Sequence, residues 1–196
     1  DSIDLMYSDF PKAIGFVLAT VYVVLLLLFR SVLLPLKAVV MNLMSIFASY
    51  GALVFIFQQG HLQAFLGFRT EGFTEATLPI LLFAVIFGLS MDYEIFLLSR
   101  IKESHDASGN NTESVAQGLE VTGPIITSAA IILILVATAF ASADIIIIKA
   151  LGLGTAIAIF IDATVVRALL VPALMQIMGR WNWWAPSLLR RSIPQW

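Results

Sequence analysis

Cysteine is absent from the 196 residues. That excludes disulfides and thiolate metal sites and leaves the redox compartment unread. Charge is scarce as well: Asp, Glu, Lys and Arg make up 12% of the chain, against about 25% in soluble domains. The net charge is -2, and no basic cluster is present to neutralise phosphates, so nucleic acid is not an expected partner. The histidines, His61 and His105, fall in expected loops without a second His or a carboxylate at ligand spacing, and no metal site is expected. A cleavable signal peptide is also missing. The chain opens at Asp1 without an initiator Met, and its first apolar run is of full spanning length. It reads as a piece cut from a longer protein.

What is present is apolar. Hydrophobic residues make up 60% and the mean hydropathy is +0.96, the composition of a polytopic membrane protein. The expected fold class is all-α, a membrane helix bundle of five spans at about 11-30, 33-57, 77-101, 121-141 and 145-178. Residues 1-10 are polar, with Ser8 or Asp9 as cap and Pro11 in the first helical turn. The corner at Arg30 and Ser31 leads to the second span, with Pro35 in its first turn. The connector from Gln58 to Ala76 has Leu62, Phe65, Leu66 and Phe68 at the spacing of a short amphipathic turn on the membrane surface. Glu103 to Glu120 is the most hydrophilic segment and is expected to be an exposed loop that has room for a short helix. Trp181, Trp183 and Trp184 form an interfacial belt.

Basic residues give the orientation. Arg30, Lys37, Arg100, Lys102, Arg180, Arg190 and Arg191 share one side of five alternating spans, against Lys12, Arg69 and Lys149 on the other. The positive-inside rule then expects the N-terminus outside and the C-terminus in the cytoplasm of a multi-pass protein of the cell membrane.

The third span, LPILLFAVIFGLSMDYEIFLLSRIK, contains Asp92, Tyr93 and Glu94 in its second half. An ionisable group inside a span is expensive and points to function by default. Asp92 lies roughly 22 Å along the helix from Thr77, past the middle of a hydrocarbon core about 30 Å thick. Ala84, Gly88 and Asp92 follow at four-residue spacing, a small-residue stripe that lets helices approach closely, so Asp92 is expected to face packed protein. The last span repeats the pattern with Gly154, Ala158 and Asp162 at a matching depth. Two carboxylates on close-packing faces, with Tyr93 able to pass a proton, make a candidate protonatable cluster. Arg167 is five residues beyond Asp162, about 140° around an α-helix. That makes it a poor same-helix partner, better suited to a carboxylate on a neighbouring helix or to the interface.

Plainer readings stand beside these. The aspartates can serve as structural hydrogen-bond partners, Glu94 can sit near headgroups and Arg167 can snorkel. Ser90 can bond its own helix carbonyl, and Gly152 and Gly154 can serve packing alone.

The segment GLSMDYEIFLLSRIKE (Gly88 to Glu103) resembles the signature of the MMPL family of lipid exporters, within the resistance–nodulation–division (RND) superfamily. LLFRSVLLPLKAVVMNLMSI, KALGLGTAIAIFIDATVVRALLVPALM and GRWNWWAP are similar to the same family's last five spans. The resemblance implies a fold of about twelve spans with two external porter domains. Residues 1-10 would then be the tail of the second porter domain, 11-180 the five-helix transmembrane domain and 181-196 a cytoplasmic interfacial tail. It implies secondary active transport, not enzymatic catalysis, in which the proton gradient drives lipids or other hydrophobic molecules outward. Protons are the coupling ion and no cofactor is needed. Asp92 and Tyr93 match the family's proton-relay pair, and Asp162 and Arg167 match the acidic and basic positions of its last span. The family's second Asp–Tyr pair belongs to an N-terminal half that this chain lacks. That half and the porter domains are the implied partners, beside membrane lipids, and alone the chain is not expected to transport.

Three other readings fit the residues less well. An intramembrane aspartyl protease needs its second aspartate directly after Gly-x-Gly, whereas Thr155 follows Gly154 and Asp162 comes later. A rhomboid-type serine protease fails for want of a histidine in a span. A structural membrane subunit would account for the small-residue stripes but not for two aspartates at matched depth.

Overall fold

The computed structural model describes residues 2–68 and 77–186, and every regular element among them is helical. Helix α1 runs from Ser2–Phe29 and α2 from Leu33–Leu53, passing into a π-helical turn at Val54–Gln58. A short α3 (Gln63–Leu66) precedes α4 (Thr77–Ser108) and α5 (Asn111–Ala141). The last span is composite: α6 (Ile146–Ile161), a π-helical stretch Asp162–Leu170, α7 (Val171–Met178) and a 3₁₀ turn Gly179–Trp183. Among the described residues the chain thus has 5 helices long and apolar enough to cross a membrane. Large apolar side chains such as Phe16, Leu135, Leu169 and Ile177 are more than half exposed on them. In water these would be an oversized apolar surface; against acyl chains, with every backbone bond made inside a helix, they are the expected one.

Three boundaries differ from the sequence reading, all where polar sequence proves to be helical. Pro11 lies inside α1 and not in its first turn; the polar segment that precedes it contains no glycine and continues as helix. The hydrophilic stretch 103–120 is not a loop. It forms the water-side ends of α4 and α5, joined at Gly109 and Asn110. Gly109 has φ +68°, the left-handed conformation glycine adopts without penalty at a helix end. The Asn110 side-chain oxygen accepts from the amides of Thr112 (3.1 Å) and Glu113 (3.4 Å), capping α5. Along these polar ends Arg100 pairs with Glu103 and Lys102 with Asp106, both at 2.8 Å. Short-range pairs of this kind support a solvated helix. Gly123 and Pro124, read as the start of a span, therefore lie within α5.

The described part of the connector is pinned to the end of α2. His61 stacks on Phe55 at 4.0 Å and Phe68 rests on Phe57 at 4.8 Å. The Phe65 side chain, Asp1, Arg69 and the rest of 69–76, and the tail from 187 with Arg190 and Arg191 lie outside the described residues.

The chain divides into two compact units. One comprises residues 1–41, 94–122 and 170–196, with Leu25, Leu34, Leu97, Ile101, Val115 and Met175 in its core. Here Ser31 accepts from the Leu34 amide to cap α2, and its hydroxyl donates to the Asn182 carbonyl at 2.5 Å. Asn182 is fully buried and donates to the carbonyls of Met175 (2.7 Å) and Gly179 (2.8 Å). The other unit comprises 42–93 and 123–169, with Ile46, Leu53, Leu82, Ile86, Ala158 and Val166 in its core. The candidate site lies in this second unit.

Candidate functional site

A π-helix closes each backbone bond one residue later than an α-helix, so residues five apart share a face. That local change decides the chemistry of the last span. Across Asp162–Leu170 it brings Asp162 and Arg167 onto one side, and Arg167 Nη2 lies 2.5 Å from Asp162 Oδ2. The sequence reading, which assumed α-helical geometry, placed them about 140° apart. It is corrected here: the partner of Arg167 is on its own helix.

Both groups are buried, with 7% of the Asp162 side chain and 4% of Arg167 exposed, and their surroundings match their charges. Ser45 on α2 donates to Asp162 Oδ1 at 3.3 Å. Arg167 Nη2 also donates to the Ser90 carbonyl of α4 at 2.5 Å, and the guanidinium stands 5.3 Å from the centre of the Tyr93 ring, within cation–π range. Among the described residues Arg167 Nε has no acceptor, and it is buried. A cavity of about 10 Å³ is lined by Ser90, Tyr93, Asp162 and Arg167, with Leu133 and Ile159 closing the apolar side. That is the space of about one water molecule.

Close packing holds the frame. The Ser49 hydroxyl donates to the Gly154 carbonyl at 2.7 Å, and a Cβ on Gly154 would meet Leu53 Cδ1 at 2.9 Å. Ala158 is fully buried, so the Gly154 and Ala158 stripe packs against the described helices. The matching stripe on α4 does not. Ala84, Gly88 and Asp92 are exposed, and a Cβ on Gly88 would meet nothing within 4 Å. Asp92 was expected against packed protein; in this chain its α4 face carries no described neighbour, because the buried faces of α4 are those of Ile86, Ser90 and Met91. Glu94, a possible site residue or a structural one, is placed in the other unit. It is 1% exposed, and in its own unit the buried Lys37 is close enough for their charges to interact.

The structure therefore gathers Tyr93, Ser90, Asp162 and Arg167, and leaves Asp92 outside that cavity. Sequence reasoning missed Ser45 and Ser49. The signal was available: Asn42, Ser45 and Ser49 follow at helical spacing on one face of an apolar span, and Asn42 bonds to the Phe87 carbonyl at 3.4 Å. Among the described residues no group of three or more His, Asp or Glu is placed to hold a metal ion.

The profile of the MMPL family matches residues 1–196. The chain belongs to the MMPL family. Among its relatives, the "Heme uptake protein MmpL11" of Mycobacterium tuberculosis is 44% identical over 191 residues, 97% of this chain and 20% of that protein. The "Mycolic acid-containing lipids exporter MmpL11" of Mycolicibacterium smegmatis is 44% identical over 192 residues, 98% of this chain and 20% of that protein. The "Trehalose monomycolate exporter MmpL3" of M. tuberculosis is 40% identical over 193 residues, 97% of this chain and 20% of that protein. The chain thus spans about a fifth of the length of these curated relatives. As an MMPL chain with five candidate spans, it is a multi-pass membrane protein.

Proposed function

We propose that this chain is the transmembrane part of an exporter of lipids or other hydrophobic molecules, driven by the proton gradient, in which Asp92 and Tyr93 relay protons and Asp162 and Arg167 respond to them. Support comes from one observation above the rest: a buried Asp162–Arg167 pair inside a π-helical stretch, with the Tyr93 ring against the guanidinium. The relatives' names supply the cargo class: one is called an exporter of mycolic acid-containing lipids and another a trehalose monomycolate exporter.

The chemistry of the reading is as follows. A proton that reaches Asp162 removes the charge that Arg167 balances. Arg167 keeps its bond to the Ser90 carbonyl and its place over Tyr93, while the contact that ties position 162 to position 167 weakens. Because that contact spans five residues, its loss favours α-helical over π-helical geometry and rotates the part of the span beyond it. A water in the small cavity would accept from Arg167 Nε and connect to the Tyr93 hydroxyl. Asp92, on the exposed stripe of α4, would exchange protons with a helix that packs on Ala84 and Gly88. With the basic residues on the cytoplasmic side, protons enter from outside and run inward as cargo moves out.

An aspartyl protease reading is disfavoured by the same geometry. Its two carboxylates share a proton at about 3 Å, whereas Asp162 is taken by a guanidinium.

The test is transport by the complete protein in proteoliposomes with an imposed pH gradient, with a labelled lipid as cargo. Asp92→Asn and Tyr93→Phe should each abolish gradient-dependent export at normal protein levels. Export that continues in Asp92→Asn and still follows the gradient would sink the relay.

A further inference from the structure

The second large feature of the molecule lies at the opposite chemical extreme, in the unit built from α1, the water-side ends of α4 and α5, and α7. There the 3₁₀ turn Gly179–Trp183 and the end of α4 border an open cavity of about 480 Å³. Its walls include His105, Asn111, Arg180, Trp181, Trp183 and Trp184. The turn is rigidly seated. Asn182 is buried beneath it, the Trp183 indole nitrogen donates to Asn111 Oδ1 at 3.0 Å, and the Trp184 carbonyl accepts from the Val32 amide at 3.1 Å. The Trp183 ring is further held edge-on by His105 at 4.1 Å, with the Lys102 ammonium 5.5 Å from its centre. Trp181 and Trp184 are instead about half exposed.

The charges around this cavity are unevenly satisfied. Lys102 is matched by Asp106 and Arg100 by Glu103, each at 2.8 Å. Among the described residues, Arg180 on the cavity wall makes no ion pair and no carboxylate lines the wall. A preformed cavity with tryptophan walls, a guanidinium and an imidazole joins the two chemistries of the membrane interface. Indole rings settle at headgroup depth, and Arg recognises phosphate through its planar fork of donors.

We propose that this cavity holds the headgroup of an anionic glycerophospholipid, with the phosphate on Arg180 and the glycerol and upper acyl region against Trp181 and Trp184. The shared chemistry is a phosphate anion, and the source is the lipid leaflet. The exposed indoles would otherwise present apolar faces to water beside the charged group, which a free phosphate ion would not cover. The site is separate from the Asp162–Arg167 pair and requires no transport to be observed.

The experiment uses the complete protein in nanodiscs of phosphatidylglycerol and phosphatidylcholine in equal amounts, with native mass spectrometry to count the lipid each variant retains. The wild type should retain phosphatidylglycerol in preference. Arg180→Gln should weaken that retention about fivefold, the change expected for one basic side chain at an anionic surface. Arg100→Gln removes a cation from the same end of the helices but outside the cavity, and should leave retention near the wild-type level. Equal losses in the two variants would mean diffuse attraction to the leaflet and would overturn the site. So would retention without preference for phosphatidylglycerol, or displacement of the lipid by excess inorganic phosphate, which would make the free ion the ligand.

Discussion

At the scale of single residues, the Asp162–Arg167 pair is where charge, burial and geometry meet. Each partner is buried deeply enough that its charge is tolerable only because of the other. Removing one partner should therefore be worse than removing both. Asp162→Leu or Arg167→Met alone leaves an uncompensated buried charge, with an expected loss of about 3–5 kcal/mol. The double variant should recover most of that in thermal unfolding of the detergent-solubilised protein. Under the proton-driven reading it should recover no export, because stability returns while the titratable group does not. A double variant that regains both would reduce the pair to a structural contact. Tyr93→Phe separates ring from hydroxyl in the same site. The ring over Arg167 is kept, so the unfolding temperature should stay at the wild-type value while, under the proton-driven reading, export by the complete protein is lost. A matching fall in stability would show that the hydroxyl is a structural anchor.

Among the elements, the last span shows what a sequence can and cannot announce. Asp162 and Arg167 were both legible as anomalies, because charge in an apolar span stands out whatever the backbone does. Their pairing was not legible, since nothing in DATVVRALL marks a change from four-residue to five-residue bonding. The polar hairpin between α4 and α5 failed in the opposite way. Its hydrophilicity reads as loop, yet Gly109 and Asn110 are the whole turn, and the charges flanking it pair along helices. Hydropathy reports the medium around a segment and not its backbone. The close approach of α5 and α6 gives a prediction at this scale. A Cβ on Gly152 would fall 2.6 Å from the Ala137 carbonyl oxygen and 2.8 Å from the Ala141 amide nitrogen, both backbone atoms. On Gly154 the nearest atoms are the ends of the Leu53 and Leu82 side chains, which can rotate away. Gly152→Ala should force the two helices apart and lower the thermal midpoint clearly, whereas Gly154→Ala should change it little. Equal effects would mean that α5 and α6 do not hold this spacing.

For the whole molecule, the question is what lies against the face of α4 that the described helices leave open. Ala84, Gly88 and Asp92 are exposed together, beside Leu81 and Val85, on a helix that is buried to within a few per cent at Leu82, Ile86, Ser90 and Met91. A stripe of small residues ending in a carboxylate is poor lipid-facing surface: it offers acyl chains little to pack against and a charge to avoid. The chain covers about a fifth of each of three relatives, which leaves ample sequence in such proteins to supply a covering helix. Gly88→Leu tests this directly. Its side chain would enter open space among the described residues, so the packing of these helices with one another should not change. If another helix seats on the stripe, the added side chain must push it away from Asp92. In the complete protein, cysteines introduced at Ala84 and on candidate covering helices should then crosslink less in Gly88→Leu than in the parent, and export should fall in step. Unchanged crosslinking and export would mean that this face of α4 meets lipid, and Asp92 would need a route to protons that involves no second helix.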